Sequence, residues 1–178
     1  MPIPDFQSVM RPVLQAVSDG SQHKLPDVVE TVCQHFQLSD EDRALRLPSG
    51  KQTYIKNRIG WARTYLTKAG LLSMPKRATI QITDRGLEAL RVQRDRVDVR
   101  YLKKFPEFVA FHAVRPTEQQ GVADVVSSDI TPDEQISIAY RSLNEALSDE
   151  LLQTILVSTP TFFEQLVVDL MIAMGYGG

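Results

Sequence analysis

Between positions 51 and 77 the sequence gathers side chains suited to phosphate oxygens and base edges: Lys51, Gln52, Tyr54, Lys56, Asn57, Trp61, Arg63, Lys76 and Arg77. Lysine and arginine neutralise phosphate charge, and a side-chain amide can donate and accept in parallel against an adenine edge. Other chemistry is poorly represented. His23, His35 and His112 lie far apart without a metal-ligand spacing, and Cys33 is the only cysteine. A lone cysteine on an apolar stripe is read as core packing, and no intrachain disulfide can form. No Walker loop, dinucleotide fingerprint or nucleophile elbow occurs.

The net charge of −2 conceals a strong segregation. Residues 1–50 carry −3, residues 51–104 carry +10 with 14 Lys/Arg, and residues 105–178 carry −9. A basic block of this size attracts phosphate backbones, and its clustering counts more than the overall charge. The sequence has no apolar run long enough for a membrane span and no basic-then-apolar start like a signal peptide. A cytoplasmic protein is therefore expected.

These side chains need a helix and a hairpin to position them. In YIKNRIGWARTYLTKAG, residues 54–70, Ile55, Ile59, Ala62, Leu66 and Ala69 share one apolar stripe, and Gly70 supplies the stop. At 100° per residue the opposite arc holds Lys56, Asn57, Gly60, Trp61, Arg63, Thr64 and Lys68. Gly60 would allow close approach to a groove wall. Trp61 has two readings, partial burial against a neighbouring helix or a place on the reading face. LLSMPKRATIQITDRG, residues 71–86, reads as two strands joined by a basic turn at Lys76 and Arg77, followed by a helix capped by Thr83. Upstream, residues 6–17 and 28–36 read as amphipathic helices and residues 40–45 as a short third. The order predicts a mainly α (α+β) fold, a winged helix-turn-helix with a small β-hairpin wing. In such a pair the second helix enters the major groove. That places Lys51, Gln52, Tyr54, Lys56 and Asn57 nearest the bases, with Lys76 and Arg77 at the backbone or minor groove.

Residues 115–131, RPTEQQGVADVVSSDIT, are polar and aperiodic and read as a linker. Helical patterns resume at Pro132 and again at Thr159-Pro160. Thr161 and Glu164 have the T-x-x-E spacing of a capping box. The expected division is 1–114 for the DNA-binding domain, 115–131 for the linker, and 132–178 for a helical second segment.

The strings WARTYLTKAGLL, ITDRG, VDVRYLKKFPEF, TPDEQI, LLQTIL and TPTFFEQLVVDLMIAMGYGG, in this order, resemble Mrr-type restriction endonucleases. The resemblance implies an N-terminal domain that binds double-stranded DNA and a C-terminal, Mg²⁺-dependent PD-(D/E)xK nuclease directed at modified DNA. It makes Glu164 the counterpart of the glutamate in the nuclease domain's first helix. It also implies that the family's later aspartate and Gln-x-Lys strands are not in this sequence. The reading is of a truncated, inactive nuclease that holds no metal of its own and targets duplex DNA. Two alternatives stay open: a stand-alone winged-helix transcription regulator forming a homo-oligomer through residues 132–178, and a winged helix that contacts only proteins.

Overall fold

The computed structural model describes residues 3–113 and 129–176; most of the expected linker, 115–128, lies outside the described residues. By its contacts the chain divides into two units, Met1–Gln135 and Ile136–Gly178. The first therefore takes in Asp129–Gln135, which the sequence reading gives to the linker and to the second segment.

The first unit is mainly helical with a small antiparallel sheet, a winged-helix-like arrangement. α1 (Met10–Ala16), α2 (Leu25–His35) and the short α3 (Asp40–Ala44) precede α4 (Tyr54–Lys68). The wing follows as β2 (Leu72–Lys76) and β3 (Thr79–Ile82), then α5 (Asp84–Val92), α6 (Val99–Leu102) and α7 (Pro106–Ala113). A two-residue β1 (His23–Lys24) pairs with β3 on the side away from β2, giving the order β1-β3-β2. The wing is thus part of a three-stranded sheet, where the sequence predicts a two-stranded one. β2 is an edge strand, which is why it tolerates Pro75.

The apolar stripe predicted for α4 is the centre of the core. Ile59, Ala62, Leu66 and Ala69 are fully buried and Ile55 is 1 % exposed, packed with Val13 and Leu14 of α1, Val32 of α2 and Ile80 of β3. α4 ends as a Schellman motif at Gly70, which takes φ +72° while the Leu71 N–H donates to Leu66 O at 2.9 Å. Cys33 is buried on α2, and desolvation pushes its thiol up, which suits packing and not nucleophilic chemistry.

The entry to α5 is where a small residue is required. Thr83 accepts a hydrogen bond from the Gly86 N–H as N-cap, which draws the first turn of α5 onto the sheet. A Cβ on Gly86 would lie 2.3 Å from Leu71 O and 2.6 Å from Ile82 Cγ1. One of those neighbours is backbone, so relief requires the helix to shift. Gly86→Ala is expected to cost about 2–3 kcal/mol of unfolding free energy, read from urea denaturation, at the upper end for overpacked sites. A variant as stable as the parent would mean that α5 does not approach Leu71 and Ile82 this closely.

The second unit is helical. α8 (Pro132–Val157) begins in the first unit and supplies most of the second, followed by α9 (Pro160–Ala173). Thr159, not Thr161, is the N-cap of α9; its hydroxyl accepts from Phe162 N, so the T-x-x-E capping box is not formed. Glu164 is exposed within the helix. Gly175, at φ +86°, closes α9 with a second Schellman motif, as its position in the sequence suggested.

Candidate nucleic-acid interface

Three local structures present the charged and amide side chains. The first is the connection into α4. Arg46 and Thr53 form an isolated antiparallel bridge, and the Leu47 N–H donates to Gln52 O at 3.0 Å. Gly50 turns the chain at φ +67°, and Arg46 Nη1 holds its carbonyl at 2.9 Å. Lys51 and Gln52 therefore stand exposed at the tip of a small ordered turn, and Thr53 leads directly into α4.

The second is the outer face of α4. Lys56 is exposed, and space is open above Gly60, where an added Cβ would meet nothing within 4 Å. Arg63 is partly exposed, and its Nε, though buried, has no hydrogen-bond partner among the described residues. Trp61 is partly buried: its ring packs edge-on against Tyr65 of the same helix, with centroids 5.9 Å apart, so the burial does not come from a neighbouring helix through this contact. Tyr54 is partly exposed and lies under the Arg58 guanidinium, 5.4 Å from the ring centroid. The third is the wing, where Lys76 and Arg77 are both exposed and Ala78 makes the turn at φ +56°.

Two clefts connect these parts. One, of about 240 Å³, is lined by Gln52, Asn57, Gly60, Trp61, Arg63, Thr64 and Asp133. The other, of about 630 Å³, shares Arg63 and Thr64 and runs past Thr67 to Met74 on β2 and Phe111 on α7. Together they form a groove along α4 from the connecting turn to the wing strand.

One predicted base-reading residue borders the groove but is spent on internal hydrogen bonds. Asn57 is 2 % exposed and its amide is already engaged. Nδ2 donates to Asp133 Oδ2 at 2.5 Å, and Oδ1 accepts from Thr131 Oγ1 at 2.7 Å. The helical wheel placed Asn57 on the outer arc correctly, but a wheel knows nothing of a segment that folds over that arc. The same segment, Thr131–Glu134, takes the Trp61 Nε1–H on Asp133 Oδ2 at 3.2 Å. It also pairs Glu134 with Arg58, Nε to Oε1 at 2.7 Å and Nη2 to Oε2 at 2.9 Å.

Arg58, Thr131, Asp133 and Glu134 were therefore missed by the sequence reading. The available signal was T-P-D-E: Thr131 accepts from Glu134 N as the start of α8, so its N-cap chemistry was legible. Nothing local said that the turn would dock on residues 72 to 76 positions away.

Part of the basic block is consumed internally. Arg96 pairs with Asp5 and Asp129 at 3.1 Å, and Arg85 pairs with Glu107 at 3.2 Å and stacks over Phe105. Lys51, Lys56, Lys76 and Arg77 are exposed and in no ion pair among the described residues. No group of three or more His, Cys, Asp or Glu among the described residues could hold a metal ion. Glu164 belongs to no such group among the described residues, and Asp169 on the same helix accepts from Gln165. The described residues thus offer no cluster that fits a Mg²⁺ ion. No helix among them is long and apolar enough to cross a membrane.

Residues 6–92 match the family profile of the Mrr N-terminal domain. The chain is 27% identical, over 194 aligned residues, to the type IV methyl-directed restriction enzyme EcoKMrr of Escherichia coli (strain K12). All of the chain is covered by that match, and it spans 61% of that enzyme's length. No solved structure matches.

Proposed function

The chain is an Mrr-type protein with an Mrr N-terminal domain at residues 6–92, and from that premise we propose that its first unit binds duplex DNA as the targeting domain of a modification-dependent restriction endonuclease. The observation that carries the reading is the groove along α4. It is flanked by exposed cations at one end, Lys51 and Lys56, and leads to the strand whose tip bears Lys76 and Arg77 at the other. A helix with open space at Gly60 can approach a major groove, and a basic wing can hold the adjacent backbone. The relative is named as methyl-directed, which supports a modified duplex as the preferred target.

Phosphate and base contacts separate experimentally. Replacing Lys76 and Arg77 together by alanine is expected to weaken binding to every duplex in a panel by a similar factor. The log–log salt slope should shrink by about 1 for each phosphate that the wing no longer neutralises. A change confined to certain sequences would show instead that the wing reads bases. Fluorescence anisotropy with modified and unmodified duplexes makes both comparisons.

A second reading draws on the second unit. Leu143 of α8 and Val168 and Ile172 of α9 are 70 %, 52 % and 62 % exposed, part of a larger set of exposed apolar side chains in that unit. Apolar surface of this kind favours self-association, which would suit a stand-alone regulator dimerising through residues 132–178. The mass in solution separates the two: the regulator must be a dimer when it binds DNA, whereas the targeting reading places no such demand on it.

A further inference from the structure

Asp133 is a carboxylate built into the middle of the α4 groove by a segment remote in sequence. Its surroundings hold it firmly. Thr131 is fully buried against Asn57, and Glu134, 4 % exposed, is clamped by Arg58. Asp133, between these two anchors, is partly exposed and lines the cleft with Gln52, Gly60, Trp61 and Arg63. Oδ2 takes both hydrogen bonds, from Asn57 and Trp61, and Oδ1 has none among the described residues. Both donors are neutral, and no ion pair to Asp133 occurs among the described residues.

A carboxylate in this position repels phosphate and accepts hydrogen bonds without donating any. On the major-groove face of a duplex the donors available to it are the exocyclic amines, cytosine N4 and adenine N6. We propose that Asp133 is a base-reading residue of this surface, its free Oδ1 accepting from the exocyclic amine of one cytosine or adenine. The inference rests on the proposed DNA-binding face and names a specificity determinant on it. The fixed negative charge lowers affinity for duplexes that present no amine there, and the matching base restores it. Residue 133 belongs to the helix that continues into the second unit, so the reading surface is made by two separate stretches of the first.

The test selects a duplex library randomised at its centre with the 178-residue chain, with Asp133→Asn and with Asp133→Glu. The parent is expected to enrich adenine or cytosine at one position. Asp133→Glu should lose enrichment there and keep it elsewhere. Asp133→Asn should lose a cytosine there but can retain an adenine through its amide, and only Asp133→Asn should bind unselected duplex more tightly, by roughly three- to tenfold. A second arm leaves the protein untouched: replacing the enriched base by its analogue without the exocyclic amine should weaken parent binding by about five- to tenfold. Enrichment that survives in both variants, or an analogue bound as well as the natural base, overturns the proposal while leaving DNA binding intact. So does a parent chain that binds duplex with no enriched position. A parent that binds no duplex at low salt removes the DNA-binding reading and this one together.

Discussion

Arg58→Met is expected to destabilise the first unit by roughly 3–5 kcal/mol, the usual loss when one member of a buried ion pair is removed. Arg58 and Glu134 retain 14 % and 5 % of their side-chain exposure, and the pair is bidentate. The same guanidinium donates from Nη1 to Ile3 O at 2.8 Å and to Pro4 O at 3.0 Å. It thereby ties the N-terminal residues, α4 and the first turn of α8 together. Methionine fills much of the volume but strands a buried carboxylate and two carbonyl oxygens. Adding Glu134→Leu removes the stranded charge and should return a large part of the loss, so that the double variant is more stable than Arg58→Met alone. Urea denaturation of the parent, both single variants and the double variant gives the coupling directly. A loss below about 1 kcal/mol, the size seen for exposed pairs, would mean that residues 131–134 are not held on α4.

Much of the helical core was legible because it depends on local periodicity. The stripe Ile55, Ile59, Ala62, Leu66 and Ala69 is apolar at helical spacing, and all five residues are buried. Gly70 and Gly175 stood at stop positions and adopt the left-handed backbone that closes a helix. The end of α2 carried no such signal: Gln37 takes φ +51° there, and Leu38 N–H returns to Cys33 O at 3.0 Å. A glutamine in that conformation is outvoted locally and held by its surroundings. β1 was missed for a related reason. Two residues, His23 and Lys24, have no alternation to display, and their strand exists only because β3 offers an edge.

The candidate site divides along the same line. Exposed cations at Lys51, Lys56, Lys76 and Arg77 followed from charge clustering and turn placement, which are local properties. The burial of Asn57 did not, since it depends on Thr131 and Asp133 arriving from 74 and 76 residues away. Summed charge also overstated what faces outward, because Arg58, Arg85 and Arg96 are spent on internal carboxylates. The division between domains was drawn from composition, and polarity alone could not show that the turn ahead of α8 packs on the first unit.

The central claim is that the groove along α4 and the basic wing grip a duplex through its phosphates. Lys51, Lys56, Lys76 and Arg77 are exposed and in no ion pair among the described residues, and Arg63 lines the groove. Neutralising about four to six phosphates gives a log–log salt slope of about −4 to −5, which is roughly a 250- to 1000-fold loss of affinity between 50 and 200 mM salt. The direct measurement is an anisotropy titration of the 178-residue chain with a labelled duplex across that salt range. Tight binding at the low end that collapses with this slope is the predicted result. Absence of binding at low salt, or an affinity that hardly changes with salt, would contradict it.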